Sequence, residues 1–97
     1  MEKKNILIVD DESSLRKVLS DLLRLRGYSP EPVATGHEAV ERISQGKHAV
    51  AIVDLGLGED DLTGIEVIKE IKARSPETEC IVLTGNPSQQ SAVDAVN

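Results

Sequence analysis

Three runs of aliphatic residues in this chain each end on a polar group. Ile6-Leu7-Ile8-Val9 leads into Asp10-Asp11, Ala49-Val50-Ala51-Ile52-Val53 into Asp54, and Ile81-Val82-Leu83 into Thr84. Short apolar runs rich in Val and Ile are the pattern of strands buried on both faces, and so of a parallel sheet. In an open parallel sheet every carboxyl end lies on one edge, where ligands bind. The pattern therefore predicts that three aspartates and a hydroxyl meet at one place.

Helical periodicity fills the intervals. Leu15, Val18, Leu19, Leu22 and Leu23 recur at i, i+3, i+4, i+7 and i+8, an amphipathic stripe. Glu12, Ser13 or Ser14 can cap its start, and Gly27 stands where a left-handed C-terminal residue belongs. A strand around residues 28–34 contains Pro30 and Pro32, which confine it to an edge. Ala39, Val40 and Ile43 predict a second helix that stops near Gly46. Ile65, Val67, Ile68 and Ile71 predict a third, ended by Ser75-Pro76, and Asn86-Pro87-Ser88 opens a fourth through Ala92, Val93 and Val96. The order is βαβαβαβα. It predicts a three-layer α/β/α doubly wound parallel sheet with right-handed crossovers and strand order 2-1-3-4. Neighbouring strands lie ~4.8 Å apart, so Asp10 or Asp11 stands close to Asp54.

Ninety-seven residues make one domain whose core must be aliphatic, because Tyr28 is the only aromatic side chain. Seventeen acids against eleven bases give a formal charge of −6, which argues against a nucleic-acid or anionic-membrane surface. No apolar stretch approaches the ~20 residues of a membrane span. The lone Cys80 heads an apolar run and reads as a core residue; without a partner in the chain it favours a cytoplasmic location.

Carboxylates gathered at one edge repel, and one of them must take a raised pKa unless a cation intervenes. A hard divalent ion with oxygen ligands removes the conflict, and magnesium suits a site that keeps water and admits phosphate oxygens. No His or Cys stands at ligand spacing, which argues against zinc or iron. The residues after the first strand, Asp10-Asp11-Glu12-Ser13-Ser14, lack the glycines that dinucleotide and P-loop sites need there. An aspartate can instead act as the nucleophile and form an acyl phosphate. Asp54, alone at the end of a central strand, is the better candidate, with Thr84 placed to donate a hydrogen bond to a phosphoryl oxygen.

Ile6-Leu7-Ile8-Val9-Asp10-Asp11-Glu12, Ile52-Val53-Asp54 and Val82-Leu83-Thr84-Gly85, in this order and at these separations, resemble the motifs of the receiver domain of two-component response regulators. Members of this family are among the known cases of ligand binding at the carboxyl edge of an open parallel sheet, so the resemblance and that edge point to the same place. The resemblance implies a flavodoxin-like fold over residues 1–97, and a phosphoacceptor signalling switch rather than an enzyme, with self-catalysed phosphoryl transfer and slow autodephosphorylation at most. It implies that Asp54 takes phosphate from the phosphohistidine of a sensor histidine kinase or phosphotransfer protein. Asp10, Asp11 and Asp54 would hold Mg2+ with the backbone carbonyl of Gly56, and Thr84 would relay the change through the fourth helix. One alternative is a receiver-like interaction module that is never phosphorylated; another is a metal-dependent phosphohydrolase with an aspartyl intermediate, which usually needs a second acid two residues after the nucleophile, where Gly56 stands.

Two departures from the family stand out. Leu57-Gly58 replaces the usual Met-Pro pair, and Gly64 lies ten residues beyond Asp54, where family members usually place a glycine eight beyond. The family's fifth strand, fifth helix and their lysine and aromatic switch residue have no counterpart before Asn97. The receiver domain is therefore expected to be incomplete at its C-terminus, with an output domain to be sought downstream. The fourth strand is expected to be a hydrophobic edge, and it or the fourth-helix face to serve as a dimer contact. Glu59-Asp60-Asp61 reads as a solvated loop. His37 and His48, flanking the second helix, read as surface or capping residues.

Overall fold

The structure is a computed structural model that describes residues 3–57 and 61–83. Seven elements alternate: β1 (Asn5–Val9), α1 (Ser13–Leu25), β2 (Ser29–Val33), α2 (Gly36–Gln45), β3 (Val50–Asp54), α3 (Gly64–Arg74) and β4 (Glu79–Leu83). All strand pairs are parallel and the order is β2-β1-β3-β4, as the sequence predicts. The proline-bearing β2 is an edge, where its missing N–H groups leave no ladder bond unmade. The expected fourth helix and Thr84 lie outside the described residues.

Side chains alternate along each strand and so divide the core between two faces. Leu7 and Val9 of β1, Val33 of β2, and Ala51 and Val53 of β3 pack with Ala39 and Ile43 of α2 and Val67 and Ile71 of α3. Leu7, Val53, Val67 and Ile71 are fully buried there. On the opposite face Ile8, Ile52 and Ile81 stand in one register row across β1, β3 and β4. Ile8 is fully buried, Ile52 half-buried, and Ile81 51 % exposed. Burial on both faces, read from the run Ile81-Val82-Leu83, therefore does not hold at β4, which among the described strands is the hydrophobic edge also expected of it. The reason is that α1 packs on β1 and β2, so its cover fades across the sheet.

The same offset explains α1. Leu15, Leu19 and Leu23 are half-buried, whereas Val18 and Leu22 of the predicted stripe are exposed. Glu12 occupies the N-cap position, yet its side chain makes no capping bond. Its backbone N–H donates to Asp10 Oδ1 instead, at 2.9 Å. Gly27 closes the helix with φ +89°, the left-handed conformation expected of it. At α3 the Thr63 hydroxyl accepts the Glu66 N–H while the Glu66 carboxylate accepts the Thr63 N–H, a reciprocal capping box that starts the helix at Gly64.

His48 corrects a sequence expectation. It is buried, with Nε2 2.7 Å from Glu31 Oε2, so this ring is neither a surface nor a capping residue. It lies in the connection between α2 and β3, and the Thr78 hydroxyl donates to its carbonyl at 2.7 Å. Cys80 is half-buried against the core, and that burial pushes its thiol pKa up.

Candidate functional site

Val9 of β1 pairs with Val53 of β3. The next residue on each strand is an aspartate, so Asp10 and Asp54 emerge side by side on the carboxyl edge. Asp10, Asp11 and Asp54 each offer a carboxylate oxygen within 4.8 Å of the others. Their exposure is graded: Asp10 is 2 % exposed, Asp54 half-buried, and Asp11 open to solvent.

Asp10 is held from three directions. Its N–H donates to Val33 O at the end of β2, its carbonyl accepts from Arg16 Nη1 at 2.8 Å, and its Oδ1 accepts the Glu12 N–H. Oδ2 is buried and has no partner among the described residues. A buried carboxylate oxygen without a donor costs free energy unless a cation or donor meets it.

Burial raises the Asp10 pKa above the usual aspartate value; the Glu12 N–H counters this, and the charges of Asp54 and Asp11 raise it further. Two charges at such a separation repel by on the order of 1 kcal/mol in water and about 4 kcal/mol at the effective dielectric of a protein surface. A divalent cation turns that repulsion into attraction. The donors are oxygens only, one of them without a partner among the described residues, and this set fits a hard ion such as magnesium.

Beyond Asp54 the chain stays close to the cluster. The Leu55 N–H donates to Leu83 O on β4 at 3.3 Å, and the Gly56 N–H to Asp54 Oδ1 at 3.1 Å. Gly56, whose carbonyl the resemblance names as a ligand, thus stands beside Asp54 through its N–H.

The acidic loop corrects another expectation. Glu59 and Asp60 lie outside the described residues, but Asp61 is not solvated. Its carboxylate accepts N–H bonds from Gly36, His37 and Leu62, and its side chain is only 11 % exposed. Gly64 was also not visible as a site residue: a Cβ there would stand 2.6 Å from Asp54 O. The sequence singles it out only by its displaced spacing from Asp54, and the close approach of α3 to the Asp54 and Leu55 backbone is what requires a glycine there.

A cavity of about 490 Å³ lies at the other, amino-terminal edge of the sheet, lined by Lys3, Lys4, Lys47 and His48 among others. It contains none of the three aspartates. The convergence of carboxylates, rather than the presence of a cavity, marks the site.

The family model described as the response regulator receiver domain matches residues 6–97. A putative NtrX-like response regulator of Rickettsia felis is 29% identical over 99% of this chain, which spans 20% of that relative's length. Among solved structures, the response regulator TrrA of Thermotoga maritima, in complex with Mg2+ and BeF, aligns with a TM-score of 0.82 at 29% identity, covering 96% of this chain and 79% of that one. A Burkholderia pseudomallei response regulator with a phosphorylated aspartic acid and a calcium ion aligns with a TM-score of 0.84 at 32% identity, covering 97% and 54%.

Proposed function

This chain belongs to the response regulator receiver family of two-component signalling, and we propose that within it the chain is a phosphoacceptor switch in which Asp54 receives the phosphoryl group. The observation that carries this reading is the gathering of Asp10, Asp11 and Asp54 within 4.8 Å, with Asp10 Oδ2 buried and without a partner among the described residues. The Mg2+ and the phosphorylated aspartic acid in the two aligned regulators support it by analogy.

Asp10, Asp11 and Asp54 would hold Mg2+, together with the Gly56 carbonyl. Bound there, the ion supplies charge neutralisation to the phosphoryl group in transit. The chain's own part is positional. Asp54 attacks phosphorus through a carboxylate oxygen, forming the P–O bond as the P–N bond of the donor phosphohistidine breaks and its electron pair returns to the imidazole. The Gly56 N–H on Asp54 Oδ1 fixes the carboxylate plane while this happens. Thr84 is proposed to hydrogen-bond a phosphoryl oxygen and pass the change to the segment that follows. The proposed donor is a sensor histidine kinase or phosphotransfer protein in the cytoplasm. No described helix is long and apolar enough to cross a membrane.

Incubation with acetyl phosphate tests the reading. One phosphoryl group should appear by intact mass with magnesium, and none with a chelator. A wild-type chain that stays unmodified under every condition is a receiver-like interaction module instead.

A further inference from the structure

Asp61 holds two elements together. The first turn of α2 has three N–H groups without helical partners. Thr35 Oγ1 takes that of Glu38, as a local cap. The other two, from Gly36 and His37, donate to Asp61, 25 and 24 residues away. His37 Nδ1 adds a contact at 2.7 Å to Asp61 Oδ1. Burial pushes the Asp61 carboxyl up, but the N–H groups of Gly36, Leu62 and His37 outweigh it and hold the pKa below the usual value.

The segment that begins with Asp61 is tight at both ends. A Cβ on Gly36 would stand 2.7 Å from Val67 Cγ2 and 3.1 Å from Leu62 Cβ. A Cβ on Gly64 would stand 2.6 Å from Asp54 O and 2.7 Å from Leu55 Cα. Residues 61–64 are therefore wedged between the start of α2 and the backbone of the acceptor. Packed contacts of this closeness transmit displacement instead of absorbing it.

We propose that Asp61 is a positioning residue: by seating residues 61–64 on the α2 N-terminus it fixes the Asp54–Gly56 turn, and so couples α2 to the phosphoacceptor. The proposal rests on the reading of Asp54 as acceptor. It also assigns a purpose to the lengthened loop, which brings a carboxylate to the first turn of α2.

Amide NMR spectra and acetyl phosphate labelling rates of the wild type, D61A, D61N and T35A test it. T35A removes a cap from the same helix but leaves the 61–64 segment untouched. In D61A the amides of Gly36 and His37 should shift together with those of Asp54, Leu55 and Gly56, and labelling should slow by about tenfold or more. D61N, which keeps an acceptor oxygen but not the charge, should recover part of both. T35A should shift α2 amides only and label at the wild-type rate. Changes in D61A confined to α2, or a T35A effect equal to that of D61A, overturn the proposal. If D61A does not fold, D61N against T35A makes the same decision. A wild type that never labels defeats the acceptor reading alone, because the Asp54–Gly56 amide shifts still decide the coupling.

Discussion

Asp10 and Asp54 each follow one member of the Val9–Val53 register pair, so the parallel ladder itself places their carboxylates side by side. Their repulsion is a property of the fold, because sheet register cannot relax it without moving Val9 and Val53 out of the core. A cation bound between the carboxylates would offset that repulsion.

Magnesium should therefore stabilise the chain. At ten times its dissociation constant a ligand bound only to the folded state adds about 1.4 kcal/mol, readable as a rise in thermal midpoint. D10N should abolish that rise. Because the Asp10 pKa is raised in the folded state, its charged form opposes folding above that value. Metal-free D10N at neutral pH should hence be at least as stable as the wild type. A D10N variant that keeps the magnesium response contradicts the assignment of Asp10 as a ligand.

Asp61 sets the opposite pH dependence. Its folded-state pKa is lowered, so its contribution to stability is present above the unfolded value and lost as pH falls through the folded one. From near pH 5 down to below the unfolded value of 3.8, the wild type should lose more stability than D61N. Parallel acid-denaturation curves for the two proteins contradict this.

Two glycines separate packing from backbone freedom. G64A places a methyl group against the Asp54 and Leu55 backbone, which has no side chain to swing aside, and should cost about 2–3 kcal/mol. G27A meets nothing within 4 Å and suffers only its positive φ, at about 1 kcal/mol. Chemical denaturation measures both. G64A should also impair labelling at Asp54, whereas G27A should not.

The fold was legible because its strands are nearly pure aliphatic runs and its helices carry a clear period; strand order followed from the prolines of β2. Asp10, Asp11 and Asp54 were legible because a parallel sheet sends all strand ends to one edge. What escaped was set by tertiary packing. The exposure of Val18 and Leu22 depends on where α1 crosses the sheet, which no local pattern states. His48 is buried by a loop, and Asp61 finds its donors on α2, across a sequence gap that composition cannot bridge. The start of α3 was the exception: Thr63-Gly64-Ile65-Glu66 carries the T-x-x-E signature of a capping box in plain view.

The most direct measurement is to trap the acyl phosphate. Borohydride reduces an aspartyl phosphate to homoserine, and peptide sequencing then locates it. After magnesium-dependent labelling, homoserine should appear at position 54 and nowhere else, and D54N should yield none. Homoserine at another acid, or label that persists in D54N, would contradict the account.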